Sequence, residues 1–248
     1  KYVAFNMFVP SAPNSIIKMP AKPEGAKWNE PPVYIDEINY RSDGRGYLKS
    51  GNMQLFILST DGGTPRQLTF SEFDHGAPVW SSDDRSLVFS ANFKKDEDLE
   101  PLNSEIYRIS VSDGEITQLT DRYGPDINPV VSPDGEKIAY LGFDDKLQGY
   151  QLTRLYTMNS DGTGVKVISD NLDRSVENIQ WAEDGKKIYF QFDEEGNTKL
   201  ARISLSGQVK VISDNLGGLS LGRPYNAASF TSSENDRFAF TIGGTQSP

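Results

Sequence analysis

One serine in this chain sits in a pattern that catalysis could use. Gly218-Leu219-Ser220-Leu221-Gly222 fits G-x-S-x-G. That pattern marks a turn exposing a nucleophilic serine between a strand and a helix, with backbone N–H groups placed to hold an oxyanion. The surrounding residues do not supply the rest. Arg223-Pro224-Tyr225 follows, and a proline disfavours the α conformation in the residue before it. No histidine lies downstream to act as base; the sole one, His75, is far upstream in Phe73-Asp74-His75-Gly76. The match is read as a chance one in a Gly-rich loop. Asp74 could orient His75 as an Asp-His pair, but a base needs a nucleophile within hydrogen-bond reach. The position matching His75 further along the chain is in Asp126-Ile127-Asn128, which points to hydrogen bonding within a loop. The last candidate is the charged run Lys94-Lys95-Asp96-Glu97-Asp98-Leu99-Glu100. Its carboxylates lack the spacing of a calcium-binding loop, and it reads as a solvated loop. With no cysteine, thiol catalysis, disulfides and Cys-ligated zinc are excluded. No residue is assigned a catalytic, substrate-binding, cofactor or metal role, and no cofactor is expected.

Composition narrows the class. Lys and Arg number 25 against 35 Asp and Glu, for a net charge of −10. Binding to nucleic acid or anionic membranes is driven by basic surface, so neither is expected. Mean hydropathy is −0.52, and no apolar run approaches the roughly 20 residues that span a bilayer, so no membrane span is expected. A length of 248 residues suits one large all-β domain or two small ones. The chain starts at Lys1-Tyr2-Val3, without Met or a signal-like segment, and is read as a processed or truncated product.

The elements around these residues come from a repeat. Asn128–Leu141 reads as two short extended runs joined by a turn, with Pro133 and Asp134-Gly135 supplying the backbone angles. The unit recurs as Trp80–Phe89, Val131–Tyr140, Trp181–Phe190 and, more weakly, Thr231–Phe240, in steps of 51, 50 and 50 residues. Each unit has a third strand (Leu55–Leu58, Ile106–Ile109, Leu155–Met158, Leu200–Ile203). A tight turn such as Asp61-Gly62 or Asp113-Gly114 follows. A fourth strand ends in Gln67-Leu68-Thr69, Gln118-Leu119-Thr120, Val167-Ile168-Ser169 and Val211-Ile212-Ser213. Four antiparallel strands per period of about fifty is the signature of a propeller blade. Trp80 and Trp181 share one repeat position and read as core between blades; Lys166 and Lys210 read as solvent-facing.

The fold expected is therefore all-β, a β-propeller fragment of about four to five four-stranded blades with the first and last incomplete. The boundaries are 1–70 for a first blade lacking its inner strand, 71–120, 121–170 and 171–214 for three full blades, and 215–248 for the first half of a fifth. A Pro-rich insertion is placed at 10–37. The alternative, a small closed propeller whose termini share a blade, would have both ends supplying a second strand. The severed ring is expected to leave Tyr2–Val9 unpaired along one edge, and a homodimer through open blade edges is expected.

Ser132-Pro133-Asp134-Gly135-Glu136-Lys137-Ile138-Ala139-Tyr140 and Gln118-Leu119-Thr120 resemble the repeat shared by TolB, the tricorn protease and the prolyl oligopeptidase family of serine peptidases. Tyr40-Arg41-Ser42-Asp43-Gly44-Arg45-Gly46-Tyr47 with Gln54-Leu55-Phe56, the Pro-rich lead-in and Trp28 is similar to the first blades of acylaminoacyl-peptidase-like members of that family. The resemblance implies a non-catalytic propeller that gates or orients peptides for a C-terminal α/β-hydrolase domain, which is absent from this chain. Its implied partners are that domain and peptides. Leu155–Gly162 resembles TolB repeats, which implies the alternative of a binding module for a protein partner and favours the periplasm over the cytoplasm. A propeller lyase or other sugar-acting enzyme would need clustered His and Asp ligands, and the chain has one His.

Overall fold

The computed structural model describes residues 1–12, 20–29, 33–217, 219–220, 223–226 and 228–242. The chain is built from strands, and the sole helical segment among the described residues is one 3-10 turn, Glu234–Asp236. The first sheet orders Tyr2–Pro10, Gly51–Ser59 and Arg66–Gln67. The second orders Val79–Trp80, Ser86–Ala91, Glu105–Ser110 and Ile116–Gln118. The third orders Asp126–Val131, Lys137–Gly142, Arg154–Asn159 and Lys166–Val167. The fourth orders Glu177–Trp181, Lys187–Glu194, Asn197–Ser204 and Val209–Leu216. A last pair joins Phe230–Ser233 to Arg237–Phe240. Within each sheet every strand runs antiparallel to the one beside it. The all-β architecture of four-stranded sheets read from the repeat is the architecture observed. Among the described residues the first sheet has three strands and the last two, and the series does not close on itself.

The insertion differs from its expected extent. Pro10 is the last residue of the edge strand, and the connection continues to Ser50. It carries a small hairpin, Arg41–Ser42 with Gly46–Tyr47, which proline spacing could not announce. The turn is possible because Gly44 takes φ +77°, a conformation open to glycine at little cost. Residues 13–19 and 30–32 of the insertion lie outside the described residues.

The core is a series of apolar layers between neighbouring sheets. Successive side chains along a strand point to opposite faces, and here both faces are covered. Leu87, Phe89 and Ala91 pack toward Leu55 and Ile57 of the first sheet, while Val88 between them packs toward Ile138 and Tyr140 of the third. Ala139 and Leu141 then face Ile188 and Phe190 of the fourth, and Tyr189 faces the last pair. This explains why the second strands read as unbroken apolar runs instead of alternating ones. Trp80 packs on the layer between first and second sheets. Trp181 packs between third and fourth, with Nε1 donating to Val130 O at 3.1 Å.

Candidate functional site

The strands place two different ends on the molecule. One end carries the tight turns. There Ser132 Oγ donates to Asp134 Oδ1 at 2.6 Å and accepts from Lys137 N at 2.9 Å. Ser81 and Asp83 repeat the arrangement. At this end a cleft of about 730 Å³ between the first two sheets is lined by Arg66, Arg85, Ser86, Ser110 and Ser112, and Arg66 Nη2 donates to Val111 O at 2.7 Å.

The other end carries the long connections: 11–50, 92–104 and 143–153, together with the segments that link one sheet to the next. It is held by a backbone device repeated three times. Leu55 N donates to Thr69 Oγ1 (2.9 Å), Ile106 N to Thr120 Oγ1 (2.9 Å) and Leu155 N to Ser169 Oγ (2.8 Å). The hydroxyl prolongs the ladder beyond the fourth strand and satisfies a buried donor, which would otherwise be costly. Further on, His75 N donates to Met53 O (2.9 Å), Asp126 N to Ser104 O (2.8 Å) and Val176 N to Thr153 O (3.0 Å). Each of these ties the chain at or just before the start of one sheet to a residue in or just before the third strand of the sheet before it. The Thr and Ser ending the fourth strands were visible in the sequence as a repeat, but their partners lie 14 residues away, so their role was not.

Several polar side chains at this end are buried or half-buried between the sheets. The residue just before the fully buried Leu55, Ile106 and Leu155 differs between seams: Gln54, Glu105 and Arg154. Gln54 Nε2 donates to Ser71 O at 2.9 Å. Arg154 Nη1 donates to Ser169 O at 3.3 Å and to Leu172 O at 2.5 Å. Glu105 Oε2 accepts from Thr120 Oγ1 at 2.7 Å. Beside it, Arg122 ion-pairs with Asp126 and reaches Asp144 Oδ1 at 3.1 Å, and its guanidinium lies 4.4 Å from the centre of the Tyr156 ring. Tyr156 in turn stacks on Tyr140 at 5.3 Å. Burial pushes the Glu105 carboxyl up to about 7, and burial likewise raises Asp126 against the pull of Arg122. The inner strands of the third and fourth sheets are bulged between Ile127 and Val130 and between Glu177 and Gln180. Asn128 and Asn178 take φ +51° and +49° there, a region asparagine tolerates better than most residues. The asparagine recurring at 128 and 178, one repeat apart, was the available signal.

His75 is buried, and the structure does not assemble it into an Asp-His pair. Its Nδ1–H donates to Met53 O at 2.9 Å, while the Asp74 carboxylate accepts from Met53 N at 2.6 Å. Phe89 and Phe93 each lie 5.3 Å from the His75 ring, and burial lowers its pKa below the usual value, leaving a neutral imidazole at pH 7. Ser220 lies on a strand pair, Leu219–Ser220 with Arg223–Asn226, so the next described segment after the serine is a strand; Gly218, Leu221 and Gly222 of the pattern lie outside the described residues. In the charged loop, Asn92 Nδ2 donates to Glu100 O at 2.8 Å and Asn103 Nδ2 to Glu100 Oε2 at 2.7 Å. Asp98 Oδ2 accepts from Ile38 N at 3.3 Å, which ties the loop to the long insertion. Burial raises Glu97, with the charges of Asp74, Asp98 and Glu37 adding to the effect. Among the described residues no group of three or more His, Asp or Glu side chains is placed to hold a metal ion.

Comparison with known proteins assigns this architecture. The profile described as acylaminoacyl-peptidase, N-terminal β-propeller domain, matches residues 23–217. The uncharacterized peptidase YuxL of Bacillus subtilis is 37% identical over 67 residues, 27% of this chain and 10% of that protein. Dipeptidyl-peptidase 5 of Porphyromonas gingivalis is 30% identical over 137 residues, 54% of this chain and 20% of that protein. The chain thus spans a fifth or less of the length of these two relatives. Among solved structures, a putative TolB from Agrobacterium tumefaciens superposes with a TM-score of 0.54 at 21% identity, over 66% of this chain and 57% of that one, a likeness of fold. The apolar layering, the fifty-residue repeat and the profile match agree, and this chain belongs to the family of acylaminoacyl-peptidase N-terminal β-propeller domains.

Proposed function

We propose that this chain is a non-catalytic propeller that gates or orients peptide substrates for a C-terminal α/β-hydrolase domain of the same parent protein. The observation that carries this reading is the profile match over residues 23–217 to a peptidase propeller domain. Two features of the chain support it. The connections and buried polar groups gather at one end of the sheets, where a partner domain or a peptide would meet the less regular backbone. Ser220 pairs with the strand Arg223–Asn226, whereas a nucleophile turn would be followed by a helix. The partners in this reading are the hydrolase domain, peptides, and a second copy of the chain along the open edge of the first sheet.

The test compares the chain alone, the parent protein, and the parent lacking the propeller, against peptides of increasing length and a folded protein. The chain alone should cleave nothing, the parent should cleave short peptides only, and removing the propeller should extend cleavage to larger substrates. Hydrolysis by the chain alone that disappears in Ser220→Ala would overturn the reading. The second reading, a TolB-like module for a protein partner, draws on the turn Leu155–Gly162 and the shared fold. A specific, stable complex with another protein, and no hydrolase encoded downstream, would favour it.

A further inference from the structure

The seam between the second and third sheets leaves two buried carboxylate oxygens that no hydrogen-bond donor reaches. Glu105 and Asp126 are both fully buried, at 1% and 0% exposure. Thr120 has one hydroxyl hydrogen, and it goes to Glu105 Oε2. The Arg122 guanidinium goes to Asp126, Asp144 and Pro125 O. Glu105 Oε1 and Asp126 Oδ2 remain buried without a partner, and the Arg122 Nε–H, also buried, bonds to neither of them. Two carboxylates against one guanidinium also leave an uncompensated buried negative charge, which is expensive away from water.

The neighbouring seams show what this position requires. Gln54 and Arg154 stand where Glu105 stands, and both donate hydrogen bonds. An ionised carboxylate can only accept, whereas a protonated one can donate. We infer that the seam is a proton-binding site, in which Glu105 is held as a carboxylic acid and donates where Gln54 and Arg154 donate in the adjacent seams. The orphaned Asp126 Oδ2 is an acceptor in the same cluster.

The other groups around Glu105 do not remove the need for a proton. Asp126, on the inner strand of the third sheet, and Asp121, on the link between sheets, both raise the affinity for it. The Thr120 hydrogen bond and Lys94, from the charged loop, oppose them, but burial is the largest influence and raises that affinity. Tyr107 and Tyr140 stay neutral, since burial raises the pKa of both phenols. Burial and the Asp126 charge together place the Glu105 carboxyl at about 7, against 4.5 for an ordinary glutamate. The folded chain therefore keeps this proton over a range in which the unfolded chain has lost it. Raising the pH through that range favours the unfolded chain, and the effect levels off above it.

Carbon-13 titration of the Glu105 carboxyl in the full chain reads the site directly, and denaturant unfolding of wild type and Glu105→Gln across pH reads its linkage. A titration midpoint near 7 is expected. The wild-type folding constant should fall relative to Glu105→Gln by roughly tenfold per pH unit, between the ordinary glutamate value and that midpoint. Glutamine is already the residue at the first seam, so the variant is expected to fold. A midpoint near 4.5, or parallel pH profiles for the two proteins, would overturn the inference. If Glu105→Gln does not fold, the titration of the unaltered chain decides the matter alone.

Discussion

Gly135 and Gly185 hold the same place in two successive turns, yet their surroundings differ. Both take positive φ, +75° and +64°, where an L side chain costs roughly 1–2 kcal/mol. A Cβ on Gly135 would also overlap the Ser82 side chain of the preceding sheet, whereas at Gly185 the nearest atom is Asp134 Oδ2 at 3.6 Å. Gly135→Ala should therefore destabilise the chain more than Gly185→Ala, which should lose about 1–2 kcal/mol from backbone strain alone. Urea unfolding of the two variants checks the order. Asp84, at φ +58°, fills this place in the second sheet without glycine, as its short polar side chain allows. The turn chemistry was legible residue by residue because a turn is local: Ser132, Pro133, Asp134 and Gly135 sit side by side in the chain. The seam chemistry was not. The donors and acceptors of Glu105, Arg122 and Asp126 converge from two sheets and a connection, and only their folded positions reveal which atoms lack partners.

At the scale of the element, a second strand belongs to two layers at once. Phe89 is fully buried in the layer facing the first sheet, stacked 5.8 Å from Tyr107, and Val88 serves the layer facing the third. Truncating Phe89 to Ala should cost about 3–5 kcal/mol. Truncating Leu102, which is 51% exposed on the charged loop, should cost within about 0.5 kcal/mol. Thermal unfolding of both variants tests this contrast; equal losses would mean that the layers do not carry the stability. Strand identity was legible because the repeat aligned Val88, Ala139 and Tyr189 in register, and each run is apolar and β-prone. Strand limits were less so. The first sheet's third strand starts at Gly51, before the apolar run Leu55–Leu58 that marks it in the sequence. The inner-strand bulges at Asn128 and Asn178 are likewise set by cross-strand register, with Asp126 opposite Gly142 and Glu177 opposite Gln191.

For the molecule as a whole, stability is distributed along a row of sheets, each supported by its neighbours through an apolar layer. Such an arrangement makes a sheet at the margin different from one inside. Tyr2–Pro10 pairs with Gly51–Ser59 along one side and with no strand among the described residues along the other. Its side chains include the exposed Tyr2, Val3, Met7 and Phe8. An unpaired edge offers a row of N–H and C=O groups to any second strand, and apolar side chains beside it remove the usual deterrent. The chain on its own should therefore self-associate through this edge in a concentration-dependent manner. Lysines at the edge are the device by which sheets resist such pairing, so Val3→Lys combined with Met7→Lys should shift the equilibrium toward monomer while leaving the inner layers intact. Sedimentation velocity across a dilution series reads the association, and hydrogen exchange of the Tyr2–Val9 amides reads its location. A monomer at every concentration whose Tyr2–Val9 amides are nonetheless protected would mean that the edge is covered within the chain itself, and the association would have no basis.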